Sequence, residues 1–294
     1  MRAILVRGLA IAAILTASTA VTSPPMPLAT VHFEPNGKLI FLPVTIEHRG
    51  LWFSLDSGAM HSVIDTATAR RVGLHIVAQG RMAGAGHGTV PLERASPLDL
   101  DVGGVALHVS DPYVIDLSHT GTARRQDGLI GQDFLEAYVV RIDPVGRTFI
   151  IYAPSAFRYT GTGAALPLTV RHEKLYIPMT LVLSNGLRAV REARIDTGSE
   201  DAASDDLVRR SPERRESVVG VGLGHSYVDY SGVFERVVLG PYTIAHAWGP
   251  ANPVPTVGME ILRRFTLTFD VPHRRLYLEP NAHLHDPVPT PPPG

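Results

Sequence analysis

The 294 residues carry 27 basic and 28 acidic side chains, a formal net charge of −1, and 45% of them are hydrophobic. No cationic excess is left to neutralise a phosphate backbone or an anionic bilayer, so nucleic acid is not an expected partner, while the apolar content suffices for a large core. Cysteine is absent, which removes disulfides, thiolate nucleophiles and cysteine-ligated metals and leaves oxygen or nitrogen chemistry.

Glycine (27) and proline (24) are frequent while aromatic residues make up only 7%, a composition that suits a turn-rich β protein. Only two of the basic residues are lysines, Lys38 and Lys174, a bias read here as genomic rather than functional. At the start of the chain, Arg2 and Arg7 precede an uncharged run from Gly8 to Val21, and Ser18-Thr19-Ala20 supplies small residues before a cut. The pattern predicts a signal peptide over 1–20, since the run is short of the ~20 apolar residues that cross a bilayer. Export to the periplasm or medium follows as an expectation, with no stable membrane anchor once the signal is removed. Residues 21–29 then read as a flexible leader.

The first strand-like run, KLIFLPVTIEHRGLWFSLDSGA from Lys38 to Ala59, ends in Asp56-Ser57-Gly58. Asp65 is placed to cap a helix over Thr66 to Val72, stopped by Gly73. AGAGHG, from Ala83 to Gly88, reads as a hairpin tip whose glycines Gly84, Gly86 and Gly88 allow positive φ, with His87 its one sizeable side chain. It lacks the G-x-G-x-x-G spacing of a nucleotide loop. Asp127 to Tyr152 then gives Leu129-Ile130-Gly131, a helical turn, a strand, an Asp-Pro turn and a final strand.

After a linker at 155–162 the same order returns. Lys174 to Ser199 matches Lys38 to Ala59 with a net four extra residues and ends in Asp196-Thr197-Gly198-Ser199. Ser204 is placed to cap a short helix over Asp205 to Arg210, and the mixed-charge run Arg209 to Glu216 reads as a solvated loop. VGVGLG, Val219 to Gly224, mirrors the glycine tip, and Pro255 to Leu278 mirrors Asp127 to Tyr152 through Thr256-Val257-Gly258. Several features recurring in one order predict a duplication: a first lobe over 30–154 and a second over 163–280, followed by a proline-rich tail at 281–294. The fold class expected is all-β, two pseudo-twofold-related β-barrel lobes with a central cleft and a few short helices.

A lone Asp-Thr-Gly is an ordinary turn, but two copies in equivalent places would bring Asp56 and Asp196 together about a pseudo-twofold axis. Two neighbouring carboxylates do not both ionise easily, so they share a proton. The ionised one can act as base on a water while the protonated one polarises a carbonyl, a hydrolysis that needs no metal or covalent intermediate. No metal motif or serine elbow competes. The thirteen histidines are scattered, H-E-x-x-H and G-x-S-x-G are missing, and His283, His285 and Asp286 lie at the start of the tail.

On Asp56-Ser57-Gly58-Ala59, Asp196-Thr197-Gly198-Ser199 and the paired segments ending in Gly131 and Gly258, the sequence resembles the aspartic peptidases, pepsin-like and retropepsin-like, of a single-chain bilobal bacterial type. Ala59 is the retropepsin-like choice after the glycine and Ser199 the pepsin-like one. The resemblance implies a catalytic pair Asp56 and Asp196, with Ser57 and Thr197 holding the two loops together. It implies that Gly131 and Gly258 allow close backbone approach, and that the tip Gly84 to Gly88 forms a flap over a protein or peptide substrate. No cofactor is implied, and a monomer is expected.

The second site departs from the first. Glu200 and Asp201 follow it where the first has Met60 and His61, and Arg194 stands two residues before Asp196, on the same strand face, where the first has Ser54. A cation there favours the ionised carboxylate and the two acids oppose it, and the sequence leaves that contest open. Two further readings stay open. One is a non-catalytic peptide-binding protein with a degenerate second site; the other is activity from first lobes paired between chains.

Overall fold

The computed structural model describes residues 25–289 except positions 85, 121, 123, 124 and 221. The expected signal peptide, the first part of the leader and the last five residues of the tail lie outside the described residues, as do Ala85 and Val221 of the two glycine tips. Strands dominate, grouped in three sheets, with short helices at Thr66–Val72, Gln132–Ala137 and Met259–Leu262. None of the described helices is long and apolar enough to cross a membrane.

The six-stranded sheet is shared by the two halves, and its order is a palindrome. Ala29–His32, Thr148–Tyr152 and Val139–Asp143 come from the first half; Phe265–Asp270, Arg275–Pro280 and Ala164–Pro167 come from the second in mirrored sequence. The halves join where Val139–Asp143 pairs antiparallel with Phe265–Asp270, in the register Val140↔Phe269 and Ile142↔Leu267. All six residues of Phe265–Asp270 are buried, so this central strand is covered on both faces. One buried apolar cluster runs from Val31 to Leu278 through both halves.

Each half adds a sheet of its own, ten-stranded in the first and eight-stranded in the second. Neither closes into the barrel expected from the sequence. In the first half the path runs from Ile76–Met82 to Val105–Val109 without those ends pairing. The strands after each glycine segment leave their own half to pair with each other, so the hydrogen bonds that closure needs are spent on the shared sheet.

The local signals were read well in the first half and less well in the second. Asp65 caps Thr66–Val72 by accepting from the amides of Ala67 and Thr68, and Gly73 ends the helix at φ 77°. In the second half the cap is Asp205 rather than Ser204, and the element it starts, Asp206–Arg210, is a 3₁₀ helix. Ser204 instead continues a two-residue strand, its partner Thr256 drawing it into the sheet. The run after Arg209 is exposed in large part, but Ser211 is buried and Arg215–Val219 is a strand. The start of the tail is tied down rather than free: the buried guanidinium of Arg264 donates to the carbonyls of His283, Leu284 and Asp286.

Candidate active site

Asp56 and Asp196 each leave the end of a long strand, Arg49–Leu55 and Arg188–Ile195. Alternation along those strands buries Phe53, Leu55, Ala193 and Ile195, which fixes the direction in which the chain emerges. Each loop is then held by its glycine segment running parallel beside it. The Asp56 amide donates to the Ile130 carbonyl at 2.9 Å and the Asp196 amide to the Val257 carbonyl at 3.0 Å. One turn on, Gln132 N donates to Ala59 O at 2.9 Å and Met259 N to Ser199 O at 2.8 Å.

Gly131 and Gly258 permit that approach. A Cβ on Gly131 would stand 2.5 Å from the His61 carbonyl carbon, and one on Gly258 would stand 2.5 Å from the Asp201 carbonyl oxygen. Both contacts are with backbone, which cannot swing aside.

Ser57 and Thr197 join the loops by a reciprocal exchange. The Ser57 amide donates to Thr197 Oγ1 at 2.9 Å, and the Thr197 amide donates to Ser57 Oγ at 3.0 Å. Each hydroxyl donates in turn to the opposite strand, Ser57 Oγ to Ile195 O and Thr197 Oγ1 to Leu55 O, both at 2.9 Å. Both residues are fully buried, so four polar groups that would otherwise be orphaned satisfy one another.

This exchange sets the two aspartates face to face across the pseudo-twofold axis. A Cβ on Gly198 would lie 2.5 Å from Asp56 Cγ, and one on Gly58 would lie 2.6 Å from Asp196 Oδ1, so each carboxyl rests on the glycine of the other loop. Asp56 Oδ1 accepts from the amides of Gly58 and Ala59, at 2.8 and 3.1 Å. Asp196 Oδ1 accepts from Gly198 N at 3.1 Å, and its Oδ2 accepts from Arg194 Nη2 at 2.9 Å.

The charges around the pair are unequal. Removal from bulk water, then the neighbouring Asp196 charge, push Asp56 up to about 7, against the Gly58 amide, Arg194 and Lys174. Asp56 itself stays partly exposed. Lys174 donates its ammonium to the Gly58 carbonyl. Burial and the Arg194 charge pull that ammonium below its ordinary value, opposed by both aspartates.

Of the two acids that made the second site look irregular, Glu200 has its partners away from the dyad, while Asp201 stays near Asp196 with its carboxyl pKa raised chiefly by burial. Glu200 Oε1 accepts from the Lys38 amide at 2.8 Å, and Lys38 Nζ donates to the Glu200 carbonyl at 3.1 Å while pairing with the buried Glu260 at 2.9 Å. Arg194 therefore meets Asp196 directly, and Glu200 belongs to a clasp between the halves.

The two glycine tips meet. His87 and His225 form an antiparallel bridge with both amide-to-carbonyl bonds at 2.9 Å, and the His87 ring stacks on Tyr227 with centroids 3.9 Å apart. Gly86, at φ 87°, has no room for a side chain, since a Cβ would stand 2.6 Å from the Gly220 carbonyl oxygen. Gly84 lies against Leu223 of the second tip, and Gly88 against the His225 ring. Leu223 also packs on a small apolar cluster of the first half formed by Val63, Ile115, Leu117 and Leu129.

Both aspartates, both hydroxyls, the glycines of both loops and Ser199 are thus gathered at one junction, whereas the first tip meets the second. The two lysines are the neighbours of the Asp loops that sequence reading passed over. Each is the first residue of one repeat and each reaches the Asp loop of the other half. Their rarity and equivalent positions were the available signal, which was read as compositional bias.

Comparison with curated proteins returns no match. A family model described as aspartyl protease matches residues 42–134, a span that holds Asp56, the first glycine tip and Leu129-Ile130-Gly131 and ends before the second aspartate. Residues 42–134 are thus similar to an aspartyl protease domain, which supports a likeness of this part of the chain to the aspartic peptidases.

Proposed function

We propose that the protein is an exported, monomeric aspartic endopeptidase in which Asp56 and Asp196 act together on a water molecule. The observation that carries this reading is the reciprocal exchange between Ser57 and Thr197, which sets the two carboxyls on each other's glycines and leaves Asp56 able to keep a proton into the neutral range. The ionised carboxylate removes a proton from the water as its oxygen attacks the peptide carbonyl, and the protonated carboxyl gives its proton to the carbonyl oxygen. The tetrahedral intermediate collapses with cleavage of the C–N bond: the proton taken from water passes to the leaving nitrogen, and one hydroxyl of the intermediate returns its proton to the other carboxylate, which restores the shared proton and leaves a carboxylic acid and an amine. An extended peptide lying under the two tips would pair its backbone with them, so the tips must part for it to enter.

A second reading rests on the Arg194–Asp196 ion pair: a protein that binds peptides in the same cleft without cutting them, its second carboxylate being engaged. Digestion of a broad peptide library by the chain lacking residues 1–20, alongside Asp56→Asn and Asp196→Asn, separates the two. Cleavage that vanishes in both variants is the result expected of the peptidase. Peptide binding without cleavage would replace it with the binding protein, and cleavage that survives either substitution would sink the dyad.

A further inference from the structure

The two Asp loops make matching backbone hydrogen bonds and differ in the donors that surround their carboxyls, and this difference bears on which aspartate holds the shared proton. We infer that Arg194 is a positioning residue that gives the dyad a fixed polarity, holding the negative charge on Asp196 and leaving Asp56 as the carrier of the proton. The inference rests on the peptidase reading for its consequence in catalysis, and on the geometry of the loops for its substance.

A carboxyl proton needs an oxygen that is not already facing a donor. On Asp196 both oxygens face donors: Oδ1 the Gly198 amide at 3.1 Å, and Oδ2 the Arg194 guanidinium at 2.9 Å. A proton on either would confront an N–H, and on Oδ2 it would also cancel the charge that the guanidinium neutralises. On Asp56 both amide contacts fall on Oδ1, while Oδ2 accepts no hydrogen bond from the described residues. Oδ2 of Asp56 is the place of the four where a proton fits.

The other groups around Arg194 leave this bias intact. Across the strand pair it faces Tyr176, and on its other side Thr256, both neutral. Lys174 acts on both aspartates together, and its hydrogen bond goes to the Gly58 carbonyl rather than to either carboxyl. Glu200 is engaged with Lys38, and Asp201 adds a like charge near Asp196 that Lys38 opposes. In the first half the position equivalent to Arg194 is Ser54, a buried neutral residue bonded to Gln126, so that position itself supplies no cation. The mechanism then runs in one direction: Asp196 takes the proton of the attacking water and Asp56 protonates the substrate carbonyl oxygen.

The test is the pH dependence of kcat/KM for Arg194→Ser, which restores the first-half pattern, with Arg194→Lys as the variant that keeps the charge. Loss of the guanidinium removes a favourable partner from both ionised states of the dyad, so both limbs of the bell move to higher pH, by about one unit. The lysine variant returns them most of the way. A purely structural role lowers the rate and leaves the limbs in place, and that outcome overturns the inference.

A readout independent of activity is the carboxyl carbon resonance of labelled aspartates in the full chain, assigned with Asp56→Asn and Asp196→Asn. The inference expects the carboxyl that titrates near pH 7 to be Asp56. Its assignment to Asp196 would refute the polarity whether or not the protein cleaves peptides. The expected titration in a protein that cuts nothing would sustain the polarity and discard the peptidase.

Discussion

The loops of Asp56 and Asp196 are the same device set in two surroundings. In both, a long strand delivers the aspartate, a parallel glycine segment takes its amide, and a hydroxyl crosses to the opposite strand. Around the first stand the neutral Ser54, two places before the aspartate, and later the buried Val63 and Ile64; around the second stand Arg194, Glu200 and Asp201. Backbone geometry here follows hydrogen bonding, which the duplication preserves. Proton distribution follows the local charges, which it does not. Two near-identical half-sites can thus hold unlike carboxyls.

The largest effect expected on that comparison is loss of turnover. Asp56→Asn and Asp196→Asn should each reduce peptide cleavage by about 10²–10⁴-fold, because each removes one member of a proton-transfer pair. Steady-state rates on a cleaved library peptide check it, and a surviving rate in one variant alone would make the half-sites unequal in a way the geometry does not anticipate.

Next comes the exchange that makes the half-sites equivalent. Thr197→Val leaves the Ser57 amide and the Leu55 carbonyl unpaired in a buried place, and Ser57→Ala does the same to Thr197 N and Ile195 O. Each should cost about 2–4 kcal/mol in urea unfolding. The double variant should fall short of the sum by about 0.5 kcal/mol or more, since the four bonds belong to one network. Additive losses would mean that the two loops are not coupled.

The dyad variants should then part company in stability. Asp56 binds its proton more tightly when folded, so the folded chain holds more protons between about pH 4 and about pH 7 and loses stability as pH rises through that window. Asp56→Asn removes this loss and should raise Tm by a few degrees at pH 7.5, with little gain at pH 4. Asp196→Asn instead leaves the Arg194 guanidinium without its carboxylate and should lower stability at pH 7.5 by about 1–2 kcal/mol. Melting curves at the two pH values decide, and shifts of the same sign would contradict the asymmetry.

The smallest effect expected is on the clasp. Lys38→Met removes the ammonium's bonds to the Glu200 carbonyl and to Glu260, but the backbone amide keeps Glu200 Oε1 and Glu260 keeps Arg263 and Arg264, so the loss should be about 1 kcal/mol. A much larger loss would make the lysine, rather than the hydroxyl exchange, the main tie between the second loop and the first half.

The sequence carried most of the site and part of the fold. Asp56, Asp196, their hydroxyls and the glycines of both segments were found because the repeat places each in register with its counterpart, and because glycine at a close approach leaves a mark that needs no structure. Lys38 and Lys174 were missed because their targets are backbone carbonyls and a carboxylate of the other half, 162 residues away for Lys38 and Glu200 and 116 for Lys174 and Gly58. Nothing local distinguishes such a lysine from a solvated one. Expecting barrels failed for a similar reason: strand patterns report which face is buried, not which edge is paired.

What the sequence by itself determined is what depends on short-range chemistry. That comprises a β-rich chain without thiols, the recurrence of motifs in one order, the Asp-Ser/Thr-Gly loops with their glycine partners, and the helix capped by Asp65. The tertiary structure decided whatever requires two distant segments to meet: the palindromic shared sheet, the crossing hydroxyls, the bridged tips, and the partners taken by Glu200 and Lys174. The physical reason is that a carboxyl's charge state depends on groups within a few ångströms in space. Here those groups are the residue two places before it, the opposite aspartate, and a lysine from the start of its own repeat, which only folding brings to one point.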